Sequence, residues 1–354
     1  MAKPAVVFGG PSDEHDISIL TGLQVSHALP DAHAFYWSKA GEWFEVDPGA
    51  EATDFVEGVP RKARRVTLVP EPGKGFLARR PYDLTAVLIC CHGGPGEDGT
   101  LQGILDLAGL RYTGPGQAAS ALGMDKLAFA GTMAAAGLPT LPRVLIGEPQ
   151  PGFAGPYIIK PRFGGSSIGI ETVEDWETSL HLRKVSPYLA AGAVVEPFLR
   201  RSRDLQIAVR TFPTLELSAI EAPKRSGGGI YGYQQKYLAW GGEVSGGREL
   251  PASLEPVLEG RIRDLAAKVA LAAGLRGLCR IDFLEQEGEL WVNEVNTIPG
   301  SMAAYLWIDP PIPRATLFEG MLEEAEATPA RSFSTAGADG SALRNAGSIA
   351  SKLG

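Results

Sequence analysis

Cysteine is scarce in this chain of 354 residues: Cys90, Cys91 and Cys279 are all there is, an odd number with no CxxC spacing. That set supports neither a disulfide framework nor a zinc site, and it points to a reducing compartment, the cytoplasm. The five histidines are scattered without an HExxH pattern, which argues against a zinc hydrolase. No apolar run reaches the roughly 18 residues that a membrane-spanning helix needs. The stretch Ala5 to Phe8 is too short for the core of a signal peptide, so no membrane association is expected. Long basic runs are missing too. The formal net charge is −8, and the cluster Arg200, Arg201 and Arg203 reads as a solvated turn; no nucleic-acid partner is expected.

What remains is ordinary globular material, 44% hydrophobic and 21% charged, long enough for two or three domains at about 100–200 residues each. Residues 4–8 read as a buried strand, Gly9-Gly10 ends it, and a polar turn leads to a helix from about Ile17 to Leu29. Further strands are expected at 34–38, 43–46 and 84–90, the last emptying into a glycine loop from His92 to Gly99 ahead of a helix over 100–110. Strand, glycine turn and helix in that order describe an open α/β sheet, whose ligands sit beyond the carboxyl ends of the strands. Tyr112 to Gly116 looks like a domain junction. After it come a helix over 118–136, strands at 143–146 and 157–160, and a helix over 173–183. Strands at 193–196, 204–211 and 215–220, a helix over 254–273 and a strand pair at 279–284 and 289–293 complete the pattern. The predicted domains are 1–115, 116–192 and 193–325, with a tail over 326–354 that is rich in Ala, Gly and Ser toward its end.

The strongest chemical signal is Arg280-Ile281-Asp282 together with Glu294-Val295-Asn296, joined by the turn Glu287-Gly288-Glu289. A hairpin sets them side by side, and residues two apart share a strand face. Two carboxylates and an amide oxygen are the hard ligands Mg²⁺ takes when a nucleotide supplies the rest. The second signal is Lys160 closing a strand ahead of Gly164-Gly165-Ser166-Ser167. Backbone N–H groups of such a loop approach phosphate closely, although a plain hairpin turn has the same composition. Glu196-Pro197-Phe198-Leu199 fits either a purine pocket or a structural turn. Lys236-Tyr237, after Gly227-Gly228-Gly229, fits a closing lid or a surface loop. Glu14 and His92 occupy the two glycine turns of the first region; His92 serves equally well as a structural hydrogen-bonder, and Asp98 reads better as a helix cap.

In order and spacing, these pieces resemble the D-alanine–D-alanine ligases of the ATP-grasp superfamily. The resemblance runs through Gly9 to Ser18, His92-Gly93-Gly94, Gly96 to Gly103, Met124-Asp125-Lys126, Lys160 with Gly165 to Gly169, Lys236-Tyr237, Arg280-Ile281-Asp282, and Asn293 to Gly300. It implies an ATP-grasp fold of three α/β domains with the active site at their junction, and ligation of two D-alanines through an acyl-phosphate for peptidoglycan synthesis. It also implies roles. Glu14 holds the first ammonium, linked to Ser166 and Tyr237. Lys126 and Lys160 bind ATP phosphates, and Lys236 reaches the γ-phosphate. Glu196 and Leu199 receive adenine, and Asp204 the ribose. Asp282, Glu294 and Asn296 hold two Mg²⁺ ions, with Mn²⁺ as a substitute. Arg280 and the Gly300 N–H face the developing oxyanion, and His92 lies near the first carboxylate. A homodimer is implied as well. The chain departs from the family after Pro299-Gly300, where Tyr305 stands in place of the serine that binds the acceptor's carboxylate; Ser301 is the candidate substitute. That departure raises a different amino-acid acceptor as an alternative. Gly164 and Pro197 replace commonly charged residues, and Tyr237 favours an amine acceptor over D-lactate.

Overall fold

The computed structural model describes residues 2–147, 149–224, 247–346 and 349. Its first sheet comprises β1 (Lys3–Gly9), β2 (His33–Trp37), β3 (Trp43–Val46), β4 (Arg64–Val69), β5 (Gly75–Leu77) and β6 (Leu84–Ile89), in the order β5-β4-β3-β2-β1-β6. β1 lies parallel to both β2 and β6, and the other neighbours are antiparallel. Ala5, Val6, Val7 and Phe8 are all fully buried, as a central strand covered on both faces must be. α1 (His15–Ala28) follows β1, and α2 (Gly94–Glu97) and α3 (Thr100–Ala108) follow β6. The glycine turns after β1 and β6 therefore emerge side by side at the carboxyl edge.

The predicted single helix over 118–136 is two helices, α4 (Gln117–Met124) and α5 (Lys126–Ala135). Asp125 breaks it: its ψ of 97° leaves the helix and its carboxylate accepts from the N–H groups of Leu127 and Ala128, each at 3.1 Å. A short acid competes with the backbone in a helix interior and is better used as a cap. The second sheet has the order β7-β10-β8-β9, from β7 (Val144–Leu145), β8 (Tyr157–Pro161), β9 (Glu171–Val173) and β10 (Ala193–Pro197). Its helix, α6 (Trp176–Val185), starts later than predicted because Glu171–Val173 pairs with β8 and Asp175 caps the helix.

The third sheet runs β13-β12-β11-β14-β15, with β11 (Arg203–Arg210), β12 (Glu216–Pro223), β13 (Arg248–Glu249), β14 (Leu278–Gln286) and β15 (Glu289–Asn296). α7 (Pro256–Ala272) packs on one face, where Ile262, Ala266 and Val269 join Leu205, Ile207, Ile281 and Phe283 in one core. Phe129 and Met133 of α5 belong to that core as well. The second sheet has a smaller core of its own around Tyr157, Ile159 and Val195. After β15 the chain makes a tight turn at Gly300–Leu306 and returns to the first sheet, where α8 (Arg314–Ala327) buries Leu317, Phe318 and Met321 against β6 and its neighbours. One short helix, α9 (Ser341–Ala346), lies in the tail.

Candidate active site

Strand register builds the polar centre. Gln206 on β11 stands opposite both Glu221 on β12 and Asp282 on β14; Asp282 stands opposite Glu294, and Arg280 opposite Asn296. Directly opposed residues share a sheet face, so Glu221, Gln206, Asp282 and Glu294 form one row, with Arg280 and Asn296 in the next. Ile281 and Phe283 alternate to the other face and are fully buried under α7. Arg280 grips Asp282 with two bonds, Nε to Oδ1 at 2.7 Å and Nη2 to Oδ2 at 2.9 Å. Gln206 and Asn296 each donate to Oδ2 at 3.3 Å. Because Asn296 turns its N–H toward Asp282, its amide oxygen faces away from that carboxylate. The carboxylates of Asp282 and Glu294 with the amide oxygen of Asn296, and no histidine or thiolate among them, suit a hard cation that takes its remaining ligands from phosphate and water.

Cations face this patch from the second sheet. Lys160 is buried at the end of β8, its Nζ 3.1 Å from Glu196 Oε2 and 3.2 Å from Asn293 Oδ1. Arg143 Nε lies 2.8 Å from the other Glu196 oxygen. Burial alone would raise the Glu196 carboxyl; the two cations outweigh it, and its pKa falls below the ordinary value. Both Glu196 oxygens thus hold cations, and Phe198 and Leu199 join Leu141, Ile158, Ile170 and Leu284 in the apolar surface of the cavity. Burial lowers the pKa of the Lys126 ammonium, the Glu294 charge opposes that shift, and Nζ donates to the Gly164 carbonyl. Lys160, Ser167, Glu196, Phe198, Leu199, Asp204, Asp282 and Glu294 line one cavity between the second and third sheets.

A second cavity, about 670 Å³, lies between the glycine turns of the first sheet and the loop after β8, and Ser12, Glu14, Gly93, Gly94, Phe163 and Gly165 line it. The Ser166 hydroxyl donates to Glu14, and Ser166 and Ser167 adopt left-handed φ values of 53° and 60°. The loop therefore partitions the two cavities, Ser167 facing one and Gly165 the other. Gly93 is required for the approach: its φ is +62°, and a Cβ there would sit 2.6 Å from Ser12 Oγ and 2.8 Å from Glu14 Oε2.

His92 is committed to the protein. Nδ1 is 2.6 Å from the Ile298 carbonyl and Nε2 is 2.8 Å from Thr21 Oγ1. A carbonyl only accepts, so Nδ1 carries the proton and Nε2 accepts from the Thr21 hydroxyl. Thr21 Oγ1 in turn accepts the Ser301 N–H at 3.1 Å. Burial is the main cause that pushes the His92 pKa down to about 4, which keeps the ring neutral. Of the two readings the residues left open, this geometry is that of a structural hydrogen-bonder. Glu97, to which the sequence reading assigned no role, runs parallel: it accepts the N–H of Gly93 at 3.0 Å, the N–H of Ile298 at 3.0 Å and the Thr297 hydroxyl at 3.2 Å. Two paths thus tie the glycine loop to the turn that carries Gly300. Asp98 accepts the Thr100 N–H at 2.8 Å, but it stands one residue ahead of the cap position expected of it: that position belongs to Gly99, whose left-handed backbone starts α3 without a side-chain cap.

Beyond Gly300 the backbone turns left-handed at Ser301, Met302 and Ala303, with φ values of 50°, 52° and 47°. Tyr305 is partly buried with its hydroxyl toward Glu221, and Arg248 lies 5.2 Å from the Tyr305 ring and 3.6 Å from Glu221. Burial, more than any neighbouring charge, raises the Tyr305 phenol. Arg143, Gln206, Glu221 and Arg248 are the other site residues that sequence reasoning passed over. Lys236 and Tyr237 lie outside the described residues.

Comparison with known proteins finds relatives over most of the chain. The family described as D-ala D-ala ligase N-terminus matches residues 3–115, and the family described as D-ala D-ala ligase C-terminus matches residues 147–310. A D-alanine–D-alanine ligase of Nocardia farcinica is 32% identical, over 91% of this chain and 96% of its own length. One from Methylobacterium sp. strain 4-46 is 33% identical, over 94% of this chain and 93% of its own length. Among solved structures, the VanG D-Ala:D-Ser ligase of Enterococcus faecalis superposes with a TM-score of 0.78 at 25% identity, covering 92% of this chain and 99% of that one. The D-alanine–D-alanine ligase of Coxiella burnetii shares the fold, with a TM-score of 0.77 at 23% identity, over 92% of this chain and 94% of that one.

Proposed function

Because the chain belongs to the D-alanine–D-alanine ligase family, an ADP-forming ligase family with the ATP-grasp fold, we propose that it joins two D-alanines to D-alanyl-D-alanine, a peptidoglycan precursor, through an acyl-phosphate. The observation that carries this reading is the convergence of Arg280, Asp282, Glu294 and Asn296 with Lys126 and Lys160, beside a cleft that holds the Glu14–Ser166 pair.

Glu14, oriented by Ser166, holds the ammonium of the first D-alanine and leaves its carboxylate toward the nucleotide cavity. That carboxylate is a poor electrophile until it takes the γ-phosphoryl group of ATP. Lys126 and Lys160 bind the phosphates, Asp204 the ribose, and Leu199 with Glu196 the adenine end, where Glu196 acts by fixing Lys160. Lys236 serves the γ-phosphate and Tyr237 serves the Glu14–Ser166 pair; both lie outside the described residues. Asp282, Glu294 and Asn296 would hold divalent ions, two Mg²⁺ with Mn²⁺ as a substitute, which neutralise charge on the transferring oxygens. Arg280 and the Gly300 N–H stabilise the oxyanion formed when the second, neutral amine adds. His92 acts by holding the turn, and Ser301 and Tyr305 form the wall for the acceptor's carboxylate. The units 1–115, 116–192 and 193–325 meet at this site, although the pairing of β10 with β8 joins residues 193–197 to the central sheet. The setting is the cytoplasm and the assembly a homodimer; no helix among the described residues is long and apolar enough to cross a membrane.

The test is phosphate release from ATP by the purified protein with Mg²⁺ and single amino acids or pairs, including D-alanine, D-serine, D-lactate and L-alanine, with products identified by mass. D-alanine alone should give the fastest turnover and D-alanyl-D-alanine. Absence of turnover dependent on an amino acid overturns the ligase reading. Faster turnover with D-alanine plus another acceptor overturns the assignment of D-alanine to the second site.

A further inference from the structure

A third cavity, about 450 Å³, shares no lining residue with the two cavities of the active site. It lies where four segments meet: the end of α3 with Leu110 to Tyr112, the first turn of α4, the turn after α7, and the chain leaving α8. Arg111, Arg276 and Arg331 all line it, one from each of three of those segments, and Asp106 is the only acid in the wall among the described residues.

The hydrogen bonds show how these guanidinium groups are held. Arg276 donates from Nε to the Gly114 carbonyl at 2.8 Å and from Nη2 to the Tyr112 carbonyl at 2.9 Å, and it lies 5.4 Å from the Tyr112 ring. Arg331 donates from Nη1 to Asp106 Oδ2 at 3.2 Å. The other Asp106 oxygen accepts the Tyr112 hydroxyl at 3.0 Å. A guanidinium has five N–H groups in a rigid fork, so Arg276 and Arg331 are each anchored by part of the fork and keep further donors. The Arg111 side chain makes no hydrogen bond or ion pair among the described residues. One carboxylate stands against three cations, so the wall carries a net positive charge around a concave surface, where like charges repel and the field is focused. The first turn of α4 lines the same cavity and has no side-chain cap at Gly116, which adds to the positive field.

We propose that this cavity binds a small phosphate-bearing anion. Arginine forks match phosphate oxygens in pairs, and such an ion would neutralise the three guanidinium groups at once. It would also bridge the first unit, α4, the turn after α7 and the tail, so its binding would stiffen the seam about which the units meet. The site is independent of the ligase reading.

The test uses the full chain and inorganic phosphate, titrated against sodium chloride at constant ionic strength with unfolding temperature as the readout. The wild type, Arg111→Glu and Arg331→Ala are compared, and an ADP–Mg²⁺ titration of each reports the nucleotide cavity separately. Phosphate should raise the wild-type Tm by roughly 2–4 °C or more near saturation. Arg111→Glu should abolish that rise and Arg331→Ala should reduce it at least tenfold in apparent affinity, while all three proteins keep the same response to ADP. Arg111→Ala removes no hydrogen bond or ion pair among the described residues and stands in if the glutamate variant does not fold. The proposal is overturned if phosphate gives the wild type no stabilisation beyond chloride, or if the Arg111 variant responds as the wild type does. The latter result would place the phosphate in the nucleotide cavity. Loss of the ADP response in the wild type would count against the ligase reading and leave this one standing.

Discussion

Replacing Glu97 by glutamine tests whether the glycine loop positions the turn at Gly300. Glu97 is buried, with one oxygen on the Gly93 N–H and the other on the Ile298 N–H and the Thr297 hydroxyl. Glutamine keeps the size and exchanges one acceptor for an NH₂ group. If the NH₂ faces Gly93, that N–H loses its partner. If it faces the other way, Thr297 can rotate its hydroxyl to accept, but the Ile298 N–H is stranded. Either orientation leaves one buried backbone donor unmet, a cost of about 1–3 kcal/mol. Part of this is returned, because burial raises the Glu97 pKa and the neutral amide escapes that desolvation. A net loss of about 1–2 kcal/mol is expected, read as a lower midpoint in urea at unchanged m-value. The turn at residues 297–301 should shift, and a misplacement on the order of 1 Å commonly costs about 10²-fold in rate. We expect kcat to fall roughly 10- to 100-fold with KM for ATP within about twofold, since Lys126 and Lys160 share no hydrogen bond or ion pair with Glu97. A Glu97→Gln protein within about 0.5 kcal/mol of wild type and equal in kcat would refute the positioning argument.

The remaining predictions concern charge and pH. Ser166→Ala removes the hydroxyl that donates to Glu14, and the lost hydrogen bond to a charged group, about 1.5–3 kcal/mol, should appear as a roughly 10- to 100-fold drop in kcat/KM for D-alanine; steady-state kinetics with ATP saturating measures it. Lys160→Met leaves buried Glu196 with one cation instead of two, so stability should fall by about 3 kcal/mol and KM for ATP should rise, checked by urea unfolding and an ATP titration. Asp282→Asn should weaken Mg²⁺ activation at least tenfold, and chelation should abolish turnover in both proteins; a Mg²⁺ titration of activity decides. His92 has a folded pKa of about 4, below its ordinary value of 6.5, so its contribution is complete above pH 6.5 and is lost as pH falls toward 4. The full loss corresponds to about 3 kcal/mol. Unfolding midpoints between pH 7 and pH 4 should show a decline that a neutral replacement, His92→Asn, flattens.

The hairpin that carries Asp282, Glu294 and Asn296 was readable because all its determinants are local. Arg280 and Asp282 alternate with the apolar Ile281 and Phe283, Glu294 and Asn296 flank Val295, and between the strands Glu287 and Gly288 take φ values of 55° and 85°, the left-handed pair a tight two-residue turn demands. Gln206 and Glu221 enter the same row only through pairings with strands far away in sequence, and one residue of slippage would turn each to the opposite face. Arg143 was hidden for a similar reason: its meaning lies in Glu196, which reaches it across the sheet. Asp125 carried a local signal, an acid directly ahead of a helical run, and the break there was open to discovery. The strands β5, β9 and β13 escaped because each holds three residues or fewer, and β4 because it opens with two exposed arginines. The return of α8 to the first sheet has no local signature, since an amphipathic helix does not state which surface it covers.

That return has a mechanical consequence. Met302, Leu306 and Phe318 share one apolar interior with β1 and β6, and Ala208 and Leu278 of the third sheet belong to it too. The outer two sheets are therefore welded into a single frame, while the middle sheet rests on a small interior of its own around Tyr157. Nucleotide exchange then calls for hinging of a light flap rather than parting of the frame, and amide protons of β8 and β10 should exchange with solvent sooner than those of β1 or β14.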